Sequence, residues 1–407
     1  MKSFLRTRGT RLAAVLAIAT GTAGLASLTA LSSTSAQADP LSTSAYIGVG
    51  ADVTQDFFSS LSGASAPDSA TTQFYIPLSS GTASDNRTIQ SFDAFPTGGS
   101  TVTPGCITTK LGGPSFDRPN STTNGITALL AAINDTGWEN TSASCTNALV
   151  NVTGQIDFAR AARGPKTTGS TLTFVPYGRD AVAYLYYDHG DGVLNSLTTS
   201  QLATIYSSTT GTTSIGADEV EGCLPISGSS PRTNLESAIG VTDGVAGAEA
   251  IAAGCASVQQ NSGNAFWAAI GSLPSGTDAI IPISAGDWIA QANGVAVDES
   301  NTARTNGLDL GIVSDVTSGK PYLGTIPNLR PNTNYYVNSS YGYNLNTVLQ
   351  TSILSGLEEN RGLVGLFVGS SAALCQSSFQ TQMNTFGFDD LTSSEGTCGA
   401  VSTTGNS

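Results

Sequence analysis

Short apolar runs of strand character alternate along this chain with segments whose apolar residues recur at helical spacing. Tyr46, Ile47 and Val49 form one such run, and a helix is predicted directly behind it over residues 51–58. Asp52 and Gln55 there have the spacing of a capping box. Ile126, Leu129, Leu130 and Ile133 recur at i, i+3, i+4 and i+7, which predicts a helix after the polar turn at 120–125. Residues 172–175 and 181–187 read as strand. Thr198 and Gln201 form a second capping-box spacing, ahead of Leu202, Ile205 and Tyr206. Phe266, Ala269, Ile270 and Leu273 give a further apolar stripe, which is read as core-facing. No internal repeat is present. The alternation predicts α/β layers around largely parallel sheets, with Ser/Thr/Gly-rich connections at 207–216 and 300–331. Strand-to-helix turns are then the places where chemistry would sit.

The first residues break this pattern. Lys2, Arg6, Arg8 and Arg11 precede an Ala/Leu-rich stretch at 12–31, and Ala36-Gln37-Ala38 offers a small-residue cleavage site. Residues 1–38 are therefore read as a signal peptide cleaved after Ala38, and the mature chain as secreted. No cysteine at the cleavage point suggests a lipid anchor. Removing those four basic residues takes 16 to 12 against 30 acidic ones, so the net charge of −14 becomes −18. Such a surface repels nucleic acid and anionic lipid. An exported chain with six cysteines is read as disulfide-bonded. Fifteen pairings are possible, and proximity in sequence favours Cys106–Cys145, Cys223–Cys255 and Cys375–Cys398. No C-x-x-C pair points to a metal or redox site, and no metal or cofactor is expected.

Enzyme signatures are sparse. There is no G-x-S-x-G elbow and no phosphate loop around Gly319-Lys320. Gly48-Val49-Gly50 begins like a dinucleotide fingerprint, but Val53 stands at the third glycine. The only histidine, His189, lies in a turn and has no nucleophile motif to serve. No catalytic residue is assigned.

The arginines say more. Arg118, Arg160, Arg163, Arg179 and Arg232 each lie in or beside a polar turn. Helix N-termini flanked by Gly, Ser and Thr present free N–H groups to an oxyanion, and arginine adds charge-assisted bonds. Taken singly, each turn reads better as a cap with a surface ion pair; as a set they point to an anion site.

The run Gly48-Val49-Gly50-Ala51-Asp52-Val53-Thr54-Gln55-Asp56 resembles the opening of secreted actinobacterial proteins similar to the phosphate-binding protein of the phosphate ABC transporter. Ile156-Asp157-Phe158-Ala159-Arg160, Phe174-Val175-Pro176-Tyr177-Gly178-Arg179-Asp180, Leu197 to Tyr206, and Ala285 to Gln291 are similar to later segments of that family in the same order. The resemblance implies a non-catalytic, periplasmic-binding-protein-like fold of type II, with two α/β lobes joined by crossing hinge strands. Lobe 1 would be discontinuous, 39–189 plus 332–407, with the chain returning near Tyr335 to Tyr343, and lobe 2 would span 190–331. Carried over by residue, the ligand set is Val53 and Thr54, Ser121 and Thr122, Arg160 or Arg163, and Ser229 with Arg232. Ser230 and Pro231 stand where the family has Gly and Thr. The family's aspartate, which accepts the proton of hydrogen phosphate, has no counterpart near Ala161-Ala162-Arg163. The implied ligand is inorganic phosphate or a similar small anion, the implied partner an ABC permease, and the state a monomer. The alternative is a secreted surface or interaction protein that kept the fold without a transported ligand.

Overall fold

The computed structural model describes residues 45–63, 75, 77–80, 87–95, 105–140, 145, 148–166, 171–189, 192–208, 211–242, 255–314, 341–391, 393, 396–401 and 403–404. The targeting segment at 1–38 and the first part of the expected return, 335–340, lie outside these residues; Tyr341 to Tyr343 lie within them.

Strand β1 (Tyr46–Gly50) is buried throughout and leads through a short 3-10 turn, Asp52–Thr54, into α1 (Gln55–Leu61). The capping box expected at Asp52 and Gln55 does not form. Asp52 accepts instead from Asn261, and Gln55 Oε1 accepts from the Ala94 N–H at 2.7 Å. Long-range partners have outcompeted the local cap. β2 (Ile89–Ser91) pairs parallel with β1. Helix α2 (Thr122–Asn134) begins inside the predicted polar turn, because Ser121 caps it by accepting from the Asn124 N–H. β3 (Phe158–Ala161) flanks β1 in parallel on its other side.

The two strand runs at 172–175 and 181–187 are one strand, β4 (Leu172–Tyr187). α3 (Thr199–Tyr206) carries the predicted Thr198/Gln201 capping box. Then come β5 (Thr212–Ile215), β6 (Asp218–Gly222), α4 (Ser230–Ile239), α5 (Gly263–Ile270), β7 (Asp278–Ser284), α6 (Ala285–Asn293), β8 (Asp309–Val313) and β9 (Gly342–Gln350).

β4 makes the architecture. Its first half, Leu172 to Ala181, pairs antiparallel with β9, which also pairs with β3. Its second half, Val182 to Tyr187, pairs antiparallel with β7 and β8. β7 continues in parallel to β6, and β6 turns back antiparallel to β5. One strand thus serves two sheet regions, so the protein is a two-lobed, mixed α/β fold. Parallel pairs lie in both regions, but every pair made by β4 is antiparallel, so the sheet is mixed where mostly parallel pairing was expected. Pro176 lacks a donor for the ladder, and the register with β9 shifts between Leu345 and Asn346 near that point.

Apolar packing follows this division only in part: one cluster joins Tyr46, Phe58 and Phe158 on the β1 side to Leu202, Ile205 and Val220 on the β6 side. Ile47, Val49, Ile126, Leu129 and Phe174 form a core around β1 and α2. Phe266, Ile281, Ile283, Trp288 and Ile289 form another around β7, α5 and α6. Asp180 ties the crossing together: its carboxylate accepts from Ser284 Oγ (2.6 Å), the Gly286 N–H (3.0 Å), Tyr343 OH (2.5 Å) and the Ala181 N–H.

The cysteines pair as Cys106–Cys145, Cys223–Cys255 and Cys375–Cys398, closing spans of 39, 32 and 23 residues. Non-reducing peptide mapping should recover these three links. Opening each one should cost about 2–4 kcal/mol in urea unfolding; a reduced protein as stable as the oxidised one would contradict it.

Candidate functional site

The β1–α1 turn packs directly on the first turn of α2. Gly50 has φ of 118°, and a Cβ at Gly125 would lie 2.5 Å from the Gly50 Cα, so neither position tolerates a side chain. Asp52 follows this contact by two residues. Its carboxylate accepts from Asn261 Nδ2 at 2.7 Å, a residue just ahead of α5. Asn261 sits in the left-handed region at φ 57°, which asparagine tolerates. Its Oδ1 accepts from the Ser284 N–H at 3.0 Å and its carbonyl accepts from Gln291 Nε2 at 2.8 Å, so β7 and α6 hold it in place. Gln260 alongside donates to the Asn120 carbonyl at 3.1 Å.

Opposite stands the N-terminus of α4. Thr122 Oγ and Ser230 Oγ are 3.1 Å apart, so the first turns of α2 and α4 meet face to face. Thr122 Oγ also accepts from the Ala162 N–H at 2.9 Å. Ser229 occupies the N-cap of α4 but caps nothing; its hydroxyl is 0% exposed and has no partner. Pro231 falls in the first helical turn, where a missing N–H costs no helical bond.

The remaining residues of the expected ligand set lie elsewhere. Val53 is buried among apolar side chains, and Thr54 Oγ donates back to the Ala51 carbonyl at 3.4 Å. Ser121 is engaged as the α2 cap. Arg160 is 0% exposed and donates to the carbonyls of Ala51 (3.2 Å) and Gly50 (3.1 Å) and to Ser91 Oγ. Arg232 turns back along its own helix to Glu236 (3.1 Å) and to the Pro225 carbonyl (3.2 Å). Arg163 lies on the far side of Ala162 and lines a separate cavity. Thr122 and Ser229–Ser230 are therefore together, whereas the arginines do not join them.

What sequence reasoning missed is acidic. Burial pushes Asp52 up to about 7 against the lowering effect of Asn261, and pushes Glu299 up to about 8 with Asp52 adding to it. Asp56 and Asp287 are also raised, by burial first and then by neighbouring carboxylates. Burial likewise pulls the Arg160 guanidinium down to about 10. The side-chain oxygens of Gln259, Gln260 and Gln291 are buried without a partner. Acceptors outnumber donors here, and protons on the carboxyls supply the shortfall. The one available signal was an aspartate in a strand-to-helix turn, Asp52, whose local spacing suggested a cap.

No protein-family model matches the chain, nor does any curated protein sequence. Among solved structures it is similar to a proposed phosphate ABC transporter substrate-binding protein with bound phosphate from Clostridium perfringens. That pair shows 12% identity over 86% of this chain and 99% of the other, with a TM-score of 0.44. It is also similar to a phosphate binding protein from Stenotrophomonas maltophilia (15% identity, 89% and 99% covered, TM-score 0.40). An ABC-type phosphate transport receptor from Vibrio cholerae is similar at 16% identity, with 67% and 86% covered and a TM-score of 0.37. These are distant likenesses, and the residue roles below rest on the geometry of this chain alone.

Proposed function

We propose that the chain is a secreted, non-catalytic solute-binding protein that closes its lobes on a small, proton-bearing oxyanion such as phosphate at the α2–α4 junction. The observation that carries this reading is the unpartnered hydroxyl of Ser229, buried where two helix N-termini from different sheet regions face each other. Free N–H groups and helix dipoles of both elements favour negative charge there. The anion would replace the direct Thr122–Ser230 contact, taking bonds from both lobes as they close. Asp52 supplies a carboxyl in place of the family's aspartate, which has no counterpart near Ala161-Ala162-Arg163. Raised to about 7, the carboxyl is partly ionised at neutral pH, and in that form it accepts from a proton-bearing oxygen and disfavours an anion with no proton to give. The lobe assignment that goes with this reading is 39–189 plus 332–407 against 190–331. A signal peptide ending at Ala38, a monomer and a permease partner complete it.

Calorimetry with phosphate and sulfate at neutral pH tests the reading. Phosphate should bind and sulfate should bind far more weakly. Ser229→Ala should weaken phosphate roughly 10- to 100-fold, the range of a bond to a charged group, and Asp52→Asn should narrow the gap between the two anions. Silence toward every oxyanion would sink the proposal and favour the surface-protein alternative.

A further inference from the structure

A cavity of about 440 Å3 opens beside the crossing strands, on the other side of Ala162 from the α2–α4 junction. Arg163 two residues past β3, Asn234 and Ser237 on α4, and Tyr341, Asn344 and Asn346 at β9 line it. Its size is that of a small-molecule site and far exceeds one inorganic oxyanion. Its walls are polar from every side.

Arg163 is the unusual member. Its Nη1 donates to the Gly164 carbonyl at 3.1 Å, but Nη2 is buried and meets no partner. Among the described residues no carboxylate pairs with it, whereas Arg232 has Glu236 and Arg304 has Asp298. Burial alone pulls its guanidinium down, with no compensating charge. A partly desolvated cation of this kind gains most from an incoming anion. The two asparagines add a second requirement. Asn234 Nδ2 donates to the Ala162 carbonyl, and Asn346 Nδ2 to the carbonyls of Arg163 and Asn344. Asn346 Nδ2 has thus spent both of its donors and Asn234 Nδ2 one of two, and the side-chain oxygens are left to accept from hydroxyl donors.

We propose that this cavity binds a hydroxylated organic anion, its carboxylate or phosphate held by Arg163 Nη2 and its hydroxyls donating to Asn234 and Asn346. The site is separate from the α2–α4 junction and uses none of its side chains.

Calorimetry on the full chain with glucuronate, glucose 6-phosphate and glucose tests it. At least one of the two anions should bind, and whichever binds more tightly identifies the acid group. Glucose should bind at least tenfold more weakly than that anion. Arg163→Gln should weaken the anion roughly 10- to 100-fold. Ser237→Phe, at an exposed helix position, should block it by filling the cavity, with the urea midpoint unchanged in both variants. Ser229→Ala should leave organic-anion binding intact, so the two sites fail independently. Glucose binding as tightly as either anion, an unaffected Arg163→Gln, or no heat from both anions would overturn the proposal.

Discussion

Replacing Arg160 by methionine should cost about 3–5 kcal/mol of stability, at or above the upper end expected for a single opened disulfide. The guanidinium is fully buried and acts as a clamp rather than as a ligand. Its Nε and Nη2 hold the carbonyls of Ala51 and Gly50, and its Nη1 holds Ser91, so it fixes the β1–α1 turn against β2 and β3. Methionine fills much of the volume but leaves those acceptors buried and unpaired, each a penalty of roughly 1–3 kcal/mol. It also removes the positive charge that holds down the proton affinity of Asp52 and Asp56. Arg160→Lys should fall between wild type and methionine, because an ammonium keeps the charge but not the fork geometry. Urea unfolding at pH 5 reads the series directly. A methionine variant within 1 kcal/mol of wild type would show that the clamp is dispensable.

Arg160 also illustrates what a sequence discloses and what it withholds. The strand at β1, the apolar face of α2 and the Thr198 cap of α3 rest on residues within seven positions of one another, and each was legible. The joining of residues 172–175 and 181–187 into one strand was not. Pro176 and Gly178 interrupt the apolar pattern, and only the ladder with β9 carries the strand across them. The site obeyed the same limit. Ser229 and Thr122 could be picked out as turn residues at helix starts, but their approach comes from pairings more than a hundred residues apart. Asp52 and Gln55 had correct spacing for a cap, yet their partners are Asn261 and Ala94. A carboxyl and an amide 209 residues apart leave no periodic trace. An arginine in a polar turn reads as a candidate anion ligand until the carbonyls it holds are seen.

Stability should fall as pH rises from about 4 to about 8, the reverse of ordinary acid denaturation. The carboxyls of Asp180, Asp52 and Glu299 are raised to about 6, 7 and 8, and those of Asp56 and Asp287 are raised as well. In the unfolded chain these groups lose their protons near 3.8 for aspartate and 4.5 for glutamate. Between the two values the folded state holds more protons than the unfolded one, so raising pH favours unfolding. Their contribution is complete below pH 4 and is lost as pH climbs through the folded values. Each fully buried group in transit removes about 1.4 kcal/mol per pH unit; Asp56 and Glu299 keep part of their surface exposed and should count for less. Asp52 faces Asn261 and Gln260 from the α5 side, Arg160 from β3, Asp56 from α1, Asp287 from α6, and Glu299 and Asp93 from the flanking loops. Only one of these neighbours is cationic, and its donors are taken by carbonyls and Ser91. Urea midpoints at pH 4.5, 6, 7.5 and 8.5 should therefore decline in order. The Asp52→Asn, Glu299→Gln double variant should flatten the decline, because an amide keeps the hydrogen bonding without the proton. A midpoint that rises across this range would mean that the cluster is ionised in the folded protein, with an unseen cation or water supplying the missing donors.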